Sequence, residues 1–516
     1  IQKELSVKVT LKEFFTYPDI KSLEAVIRDK KREELGRIPV SGKAEYYELS
    51  HAQKRLWVLD KIEKSKSAYN IPLAVKINDE VNLAALQSAF NSLLERHEIL
   101  RTIFIELDGE PFQKITEDKD NPIIMKDFSS DSSPDEAASS YIFTEAHRAF
   151  ALSEYPLVKL YLIKTAEEQY ILFLNIHHII CDGWSLNIII DELLNSYRYY
   201  LNNTGSLPEK PDIQYKDYSR WLNEKLISSE DNTDRQYWLS KLAGDLTPPD
   251  LPSDFRRPPV KTYEGNSVYY SFSSELRHNL ESFNTNKRSS MFMTLAAVFK
   301  VLLYKYTEKE DILIGTPVAA RNHPDLENQV GYYVNTLALR DIVEPNKSFA
   351  EFLESVKRTA TDSYSHQMYP FDKLIEELKP DRDTSRSPLF DVMIVFQNFD
   401  FAFGNTFREI QEYKIPLNIS KYDLTFNFSE AGDKLNLFIE YNTKIFRQER
   451  VKQIISHFEM LLNTIISDPA KSINTIKILN SEEEKNLLYK FNNTDAVHPE
   501  DKTIISLFEE AAGRYP

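Results

Sequence analysis

The chain has 516 residues, of which 42% are hydrophobic, and is long enough to form more than one hydrophobic core. A formal net charge of −16 without any cluster of Lys and Arg argues against nucleic acid as a partner. The single cysteine, Cys181, excludes an intrachain disulfide, and no glycine-rich phosphate-binding loop occurs. The longest apolar run, Met291–Tyr304, is too short to span a bilayer, and the charged N-terminus is unlike a signal peptide. We therefore expect a cytoplasmic protein that does not bind a membrane.

The N-terminal part of the chain divides into a helical segment and a linker. Residues 1–30 predict a short alternating segment and then a helix from about Ser22. Residues 31–45 are mostly charged and polar and contain two glycines and a proline, which indicates a linker.

Residues 46–225 alternate between helical and strand patterns. Asn82–Glu98 has one apolar stripe at helical spacing, and Ala137–Phe150 predicts a second helix. The predicted strands are Leu100–Glu106, Val158–Lys164 and Tyr170–Ile176. This alternation predicts an α/β sandwich in which helices pack against a largely mixed sheet.

Residues 226–480 loosely repeat this order. The predicted helices are Ser274–Phe283, Met291–Tyr306 and Phe446–Ile466. The predicted strands are Asp311–Val318, Leu389–Phe396 and Leu435–Tyr441. The chain therefore predicts two lobes of similar organisation, followed by a charged tail at residues 481–516.

The most informative stretch runs from Ile171 to Tyr197. Its opening, ILFLNI, alternates and is rich in apolar residues, which predicts a buried strand. After Gly183 the apolar residues recur every three or four positions, which predicts an amphipathic helix. His177 and His178 therefore lie where a strand ends and a loop leads to a helix, a common location for reactive side chains.

Adjacent histidines on a strand point to opposite faces, so they can hardly ligate one metal ion. No CxxC or HExxH pattern supplies other ligands. We expect one histidine to enter the core and the other to face a cavity. Asp182 could orient a histidine, bind backbone amides at the helix start or pair with a distant arginine. From the residues alone, two core histidines beside an Asx-turn are an equally good interpretation.

The sequence HHIICDGWS at 177–185 resembles the HHxxxDG signature of the condensation domains of nonribosomal peptide synthetases, and of the wider chloramphenicol-acetyltransferase-like superfamily. Further stretches resemble that family's other motifs in the family's order. They are SHAQKRLWVL at Ser50–Leu59, RHEILRTIF at Arg96–Phe104, YKDYSRWL at Tyr215–Leu222, VGYYVNTLALR at Val330–Arg340, and HQMYPFDKLIEEL with RDTSRSPLFDV at His366–Val392. The resemblance covers nearly the whole chain.

The resemblance implies an α/β fold with two chloramphenicol-acetyltransferase-like lobes, at 46–225 and 226–480, forming a V-shaped pseudo-dimer with a central tunnel. Residues 1–30 resemble the C-terminal part of a peptidyl carrier domain, without the serine that bears phosphopantetheine. Residues 481–516 resemble the linker into an adenylation domain and its first helix. The implied partners are upstream and downstream peptidyl carrier domains and the adjacent adenylation domain.

The resemblance also implies the reaction: the amine of a downstream carrier-bound aminoacyl group attacks an upstream carrier-bound thioester. The domain itself needs no cofactor, because the phosphopantetheine arms of the carriers deliver both substrates. His178 is then the cavity-facing catalytic histidine, and the N–H of Gly183 contributes to an oxyanion site. His177 supports the strand. Asp182 is structural and pairs with an arginine, for which Arg321 is the first candidate and Arg96 and Arg101 are alternatives.

Other residues of these motifs receive simpler interpretations. Trp184, Ser185 and Asn335 are candidates for lining the substrate tunnel. Trp57, Tyr218, Trp221 and Cys181 are expected to be packing residues, and the remaining histidines lack the spacing of a metal site.

The stretch LSHAQKRLWVLDKIEKSKSAYNIP at 49–72 is similar to domains that receive an L-configured upstream residue. The alternative functions are a CoA- or carrier-dependent acyltransferase of the same superfamily, and a non-catalytic docking platform. The carrier-like N-terminus argues against a CoA-dependent enzyme. A docking platform is expected to lose His178, which is present here.

Overall fold

A computed structural model describes residues 1, 5, 7, 9–17, 19–30, 36–62, 66–228, 233–246, 248–381, 383–397, 406–495 and 501–515. The helices are α1 Leu11–Thr16, α2 Ile20–Asp29, α3 His51–Ile62, α4 Leu83–Arg96, α5 Pro134–Ala146, α6 Gly183–Asn202, α7 Tyr215–Ser228, α8 Thr233–Lys241, α9 Ser274–Lys287, α10 Met291–Thr307, α11 Phe349–Ser365, α12 Phe371–Leu378, α13 Gln448–Ser467, α14 Ser481–Lys485 and α15 Ile504–Arg514. The strands are β1 Tyr47–Glu48, β2 Asn70–Asn78, β3 Thr102–Leu107, β4 Glu110–Ile115, β5 Ile124–Asp127, β6 Val158–Ala166, β7 Gln169–His177, β8 Gly265–Ser271, β9 Asp311–Val318, β10 Asn335–Ile342, β11 Val392–Gln397, β12 Ile410–Glu412, β13 Leu424–Ala431 and β14 Lys434–Asn442. Among these residues, none of the helices is long and apolar enough to cross a membrane.

The first lobe is built on a mixed sheet in the order β12-β2-β7-β6-β5. β7 lies at its centre and is antiparallel to both neighbours, whereas β5 is parallel to β6. Helices α4 and α6 cover one face, and α5 covers the other through Ala138 and Ile142. Because both faces are covered, the residues of β7 from Ile171 to His177 are all buried. The predicted sandwich of helices on a mixed sheet is confirmed for this lobe.

The second lobe contains a mixed sheet in the order β10-β9-β11-β13-β14-β8. Its core is centred on α10, whose residues from Phe292 to Leu303 are all buried. Lys300 lies within this apolar helix because Asp341 pairs with its ammonium and the carbonyl of Leu339 accepts a hydrogen bond from it at 2.9 Å. A lone buried cation would be costly, so the pair explains how a lysine is tolerated there.

The two lobes share a local pattern, as the sequence suggested. The antiparallel pair β6–β7 leads into α6, and the antiparallel pair β13–β14 leads into α13. Each of these two helices has 20 residues. The loop before α6 carries the two histidines, whereas the equivalent loop, residues 443–447, reads TKIFR. The pattern is duplicated, but the histidine motif is not.

Several predicted boundaries were wrong for local reasons. The strand predicted from Leu100 begins at Thr102, because Glu98–Arg101 form a 3-10 turn. The helix predicted over Ala137–Phe150 begins three residues earlier, at Pro134, because proline is favoured in the first turn of a helix. The N-terminal segment forms two helices, α1 and α2, where an alternating segment and one helix were predicted, because Thr10 and Asp19 each cap a helix start.

The boundary between the lobes is crossed by the chain. β12, from within residues 226–480, is an edge strand of the first-lobe sheet and pairs antiparallel with β2. The core of the first lobe also includes Leu326, Val330, Tyr333 and Phe407. The lobes are therefore joined through shared packing and hydrogen bonds.

Candidate active site

His177 is the last residue of β7 and is turned into the core. Its side chain is 1% exposed, and its Nδ1 accepts a hydrogen bond from the N–H of Ile179 at 3.1 Å. Burial lowers the pKa of His177 to about 3, so the ring is neutral and Nδ1 can accept. The supporting role that the resemblance implies for His177 stays a prediction.

His178 begins the 3-10 turn His178–Ile180 and is half-buried. Its Nδ1 lies 2.8 Å from the carbonyl oxygen of Cys181. A carbonyl can only accept a hydrogen bond, so Nδ1 carries the proton and Nε2 presents its lone pair. Burial, followed by the charge of Lys421, lowers the pKa of His178 to about 4. The imidazole is therefore neutral near pH 7 and acts as a hydrogen-bond acceptor at Nε2.

Asp182 caps α6 and is 2% exposed. Its Oδ1 accepts the N–H of Ser185 at 2.8 Å, and its Oδ2 accepts the N–H of Tyr333 at 2.9 Å. The guanidinium of Arg321 lies 3.2 Å from Oδ1. The carboxylate therefore joins the start of α6 to a segment of the second lobe, which holds the loop of His178 in place.

Arg321 is the partner that lies next to Asp182. Its side chain is 3% exposed, it stacks on the ring of Tyr333 at 4.0 Å, and it donates to the carbonyl of Gln329 at 2.7 Å. The alternatives Arg96 and Arg101 were wrong. Arg96 lies at the end of α4 and pairs with Glu192 at 3.0 Å, and Arg101 donates to the carbonyls of Leu94 and Thr116.

The other candidates near the motif have different surroundings. Gly183 is the first residue of α6, where backbone N–H groups have no intrahelical acceptor, and it is exposed. Ser185 is fully buried and exchanges two hydrogen bonds with the backbone of Gly331, at 2.8 and 3.0 Å. The indole N–H of Trp184 donates to the carbonyl of Glu327 at 2.9 Å. Ser185 and Trp184 thus contact the second lobe and are not among the residues that line the cavity described below, so their place in a tunnel wall stays a prediction.

Asn335 lines a cavity between the lobes, but its amide is occupied. The NH2 group donates to the carbonyls of Gln367 and Tyr369 at 2.8 and 2.7 Å, and Oδ1 accepts the N–H of Phe371 at 3.1 Å. Its evident role is to fix the chain before α12.

This cavity adjoins the histidine loop. It is lined by residues of α3, of α12 and of the segment before β10, among them His51, Arg55, Tyr332 and Asp372. The ring of Tyr332 contacts the imidazole of His178 edge-on, with ring centroids 4.9 Å apart, and Tyr332 also lines the cavity. Tyr332 thus links His178 to the inter-lobe space.

Several residues of this site were not identified from the sequence. Arg55 and Asp372 pair across the cavity at 3.2 Å, and burial raises the pKa of Asp372 to about 6. Gly331 must be glycine, because a Cβ there would lie 2.0 Å from the ring of Tyr215. The stretches that contain these residues were recognised by resemblance, but only the fold shows which of their side chains meet.

The expected packing residues behave as such. Tyr218 is 4% exposed, and Cys181 is fully buried with its thiol directed to the carbonyl of Asp182 at 3.3 Å. Burial raises the pKa of Cys181 well above its ordinary value, so the thiol is not a nucleophile. Within the described residues, no group of three or more acidic, histidine or cysteine side chains could hold a metal ion.

The fold and site define a two-lobed α/β protein with a histidine loop at the junction of its lobes. The family model for the condensation domain matches residues 43–488. Bacitracin synthase 3 of Bacillus licheniformis is 36% identical over 521 residues, which cover 100% of this chain and 8% of the relative. Tyrocidine synthase 3 of Brevibacillus parabrevis is 35% identical over 517 residues, covering 100% of this chain and 8% of that protein.

Solved structures share the fold at lower identity. The X-domain from teicoplanin biosynthesis superposes with a TM-score of 0.78 at 20% identity, covering 86% of this chain and 100% of that one. The starter condensation domain of rhizomide synthetase, in complex with C8-CoA and Leu-SNAC, gives 0.73 at 20% identity, with coverage of 84% and 98%. The chain belongs to the condensation domain family, whose members form amide bonds in nonribosomal peptide synthetases. It spans only a small part of the length of its curated relatives.

Proposed function

We propose that this chain forms a peptide bond between the carbonyl of an upstream carrier-bound aminoacyl or peptidyl thioester and the amine of a downstream carrier-bound aminoacyl thioester. The observation that carries this proposal is the geometry of His178. Its Nδ1–H is fixed by the carbonyl of Cys181, so Nε2 is the acceptor that can hold an amine N–H. The inter-lobe cavity, which is lined by the Tyr332 that contacts this imidazole, supports the proposal.

The proposed reaction needs little chemical activation. The amine nitrogen attacks the thioester carbonyl carbon, a tetrahedral oxyanion forms, and the C–S bond breaks as the thiolate of the phosphopantetheine arm leaves. One proton of the amine passes to that thiolate, so the products are an amide and a free thiol. A group with a pKa of about 4 is a weak base, so His178 positions the amine and accepts a hydrogen bond from it. The N–H of Gly183 is a candidate for the oxyanion.

The flanking segments support the same assignment of partners. We propose that residues 1–30 are the end of a peptidyl carrier domain, residues 31–45 a linker, and residues 481–516 the linker and first helix of an adenylation domain. Carrier domains on both sides would present their phosphopantetheine arms to the two ends of an inter-lobe tunnel. The condensation domain itself would bind no cofactor, and the reaction would take place in the cytoplasm.

The proposed donor is an L-configured residue, which the resemblance of residues 49–72 supports. Residues 63–65 of this stretch lie outside the described residues. The test is a panel of aminoacyl carrier domains, loaded with L- or D-amino acids as donors and with each of the common amino acids as acceptors. Dipeptide is detected by mass spectrometry, and a preference for D-donors would contradict this part of the proposal.

The central test replaces His178 by Ala and by Gln. His178→Ala should lower the single-turnover rate by about 10²–10⁴-fold. His178→Gln keeps an acceptor near Nε2 without a base and should retain part of the rate. His278→Ala is the control, because His278 is exposed on α9 and its Nδ1 lies 2.7 Å from the carbonyl oxygen of Ser274 in the same helix. A His178→Ala protein that melts like the wild type and condenses at a near-normal rate would overturn the proposal.

A further inference from the structure

A lysine of the second lobe lies beside the histidine loop. In the antiparallel pairing of β2 with β7, the last pair is Asn70 with His177. Tyr69 and His178 are the next residues beyond this pair, one on each chain segment, so they lie near each other. The ammonium of Lys421 lies 4.8 Å from the centre of the Tyr69 ring. Lys421 precedes β13, so a cation of the second lobe reaches the end of β7 from the opposite side of the junction.

The loop that carries Lys421 is fixed by both lobes. The N–H of Ser420 donates to the carbonyl of Tyr263 at 3.0 Å, and Nε2 of His147, from the first lobe, lies 2.6 Å from the carbonyl oxygen of Leu417. At Gly265 a Cβ would lie 2.4 Å from the backbone of Ile419, so only glycine permits this approach. A cation on such a loop is held in place before any substrate arrives, which is the condition for effective electrostatic stabilisation.

The charge of Lys421 acts on the groups around it. It is the largest charge effect that lowers the pKa of His178, after burial, and it also lowers that of His177. It opposes the rise that burial causes in the pKa of Glu440 on β14. Asp182 and the carbonyl of Cys181 act on His178 in the opposite direction. The imidazole of His178 therefore lies in the positive field of Lys421, which Asp182 partly offsets.

We propose that Lys421 is a catalytic residue of the condensation reaction, whose ammonium binds the carbonyl oxygen of the donor thioester as that oxygen becomes an oxyanion. This inference rests on the proposed function, because it assigns a role in that reaction. The resemblance assigns the oxyanion site to the N–H of Gly183. A side-chain cation supplies a full charge, which a single backbone N–H cannot.

The positive field favours both changes of charge in the reaction. An ammonium ion that enters the site loses its proton more readily beside a cation, so more of the amine is present in its attacking, neutral form. When the amine nitrogen bonds to the thioester carbon, the electron pair of the C=O bond moves to oxygen, and the negative charge forms beside Lys421. When the C–S bond breaks, that pair returns, and the thiolate takes the proton lost by the amine.

The test compares Lys421→Met with a matched variant, Lys414→Met. Lys414 lies in the segment that leads to the same loop and also covers a tyrosine, with its ammonium 4.4 Å from the ring of Tyr269 on β8. Single-turnover dipeptide formation is measured with the full chain and the best donor and acceptor carrier pair of the panel above. Lys421→Met should reduce the rate by about 10²–10³-fold, the usual effect of removing one oxyanion donor. Lys421→Arg should restore most of it, and Lys414→Met should resemble the wild type.

A second measurement separates this role from a purely structural one. Histidine-selective NMR titration should show the pKa of His178 rising in Lys421→Met and unchanged in Lys414→Met, since only the former cation acts on the imidazole. Lys421→Gln provides the same comparison if the methionine variant melts at a lower temperature. Equal rates for Lys421→Met and Lys414→Met, or an unmoved His178 pKa, would overturn the inference. If the wild type forms no dipeptide with any pair, the proposed function fails instead.

Discussion

At the scale of single residues, one hydrogen bond decides what His178 can do. Because the carbonyl of Cys181 accepts from Nδ1, the lone pair is on Nε2 and the tautomer is fixed. The sequence predicted which of the two histidines faces outward only through resemblance to a family, since alternation on a strand makes the two positions equivalent. The structure separates them, because His177 is 1% exposed and bonds back to Ile179.

The pH dependence of the reaction follows from this environment. The pKa of His178 is lowered from its ordinary value to about 4, so its neutral form persists as the pH falls and is lost only near that value. Between about pH 6 and 8 the wild-type rate should therefore follow the ionisation of the amine alone. His178→Gln should show the same profile at a lower level. An additional limb near pH 6.5, present in the wild type and absent in His178→Gln, would identify a general base instead.

Asp182 should affect stability more than substrate binding. Its carboxylate accepts from two backbone N–H groups and pairs with Arg321, so Asp182→Ala leaves a buried arginine without its anion. We expect a loss of about 3–5 kcal/mol in the free energy of unfolding. The double variant Asp182→Leu with Arg321→Met should lose less than Asp182→Ala, because the isolated charge is gone. Urea denaturation of the wild type, Asp182→Ala and the double variant measures these differences in the free energy of unfolding. An Asp182→Ala protein of unchanged stability that no longer condenses would make Asp182 a catalytic residue.

At the scale of elements, the sequence predicted those that carry their own signal. β9 was predicted at Asp311–Val318 and has those bounds, because the apolar residues Ile312–Ile314 directly follow the charged run Glu308–Asp311. β12 was not predicted. It has three residues, two of them polar, and it becomes a strand only because the edge of β2 is available to it. The position of Lys421 depends on this same crossing of the chain, so no periodicity could have shown it.

The pairing of β12 with β2 should be necessary for the alignment of the lobes. Beyond β12, the N–H of Tyr413 donates to the carbonyl of Ala74 at 2.9 Å, and its side chain packs on the first lobe. Tyr413→Ala removes the ring, and Tyr413→Pro removes the ring and the N–H donor. The proline variant should melt below the alanine variant and condense more slowly, since the loop of Lys421 follows directly. Equal melting temperatures and rates would show that the crossing is not needed.

At the scale of the whole molecule, the two-lobe organisation was predicted, but the extent of the junction was not. The sequence places a boundary near residue 225, yet Leu326, Val330 and Tyr333 belong to the first-lobe core. These residues come from the VGYYVNT stretch and the segment just before it. In sequence this region looks like an ordinary loop that leads into a strand. They share this core with Tyr215, which packs where Gly331 leaves room for it. Such a long-range fit leaves no local pattern in the chain.

The shared core predicts that the lobes unfold together. The ring of Tyr333 packs on Tyr215 and Tyr218 of the first lobe, at centroid distances of 5.0 and 4.6 Å, and under the guanidinium of Arg321. Calorimetry of the wild type should therefore show one cooperative transition for residues 46–480, because neither lobe can expose this junction without losing its own core.

Tyr333→Ala removes the central ring of the junction and should cost about 3–5 kcal/mol, as large buried aromatic truncations do. We expect its transition to separate into two, one for each lobe, and condensation to be lost, because the ring that packs Arg321 against Tyr215 and Tyr218 is gone. Tyr269→Ala is the control, since that ring is 55% exposed on the second-lobe sheet. Two transitions in the wild type, or a single unshifted one in Tyr333→Ala, would show that the lobes fold independently of this contact.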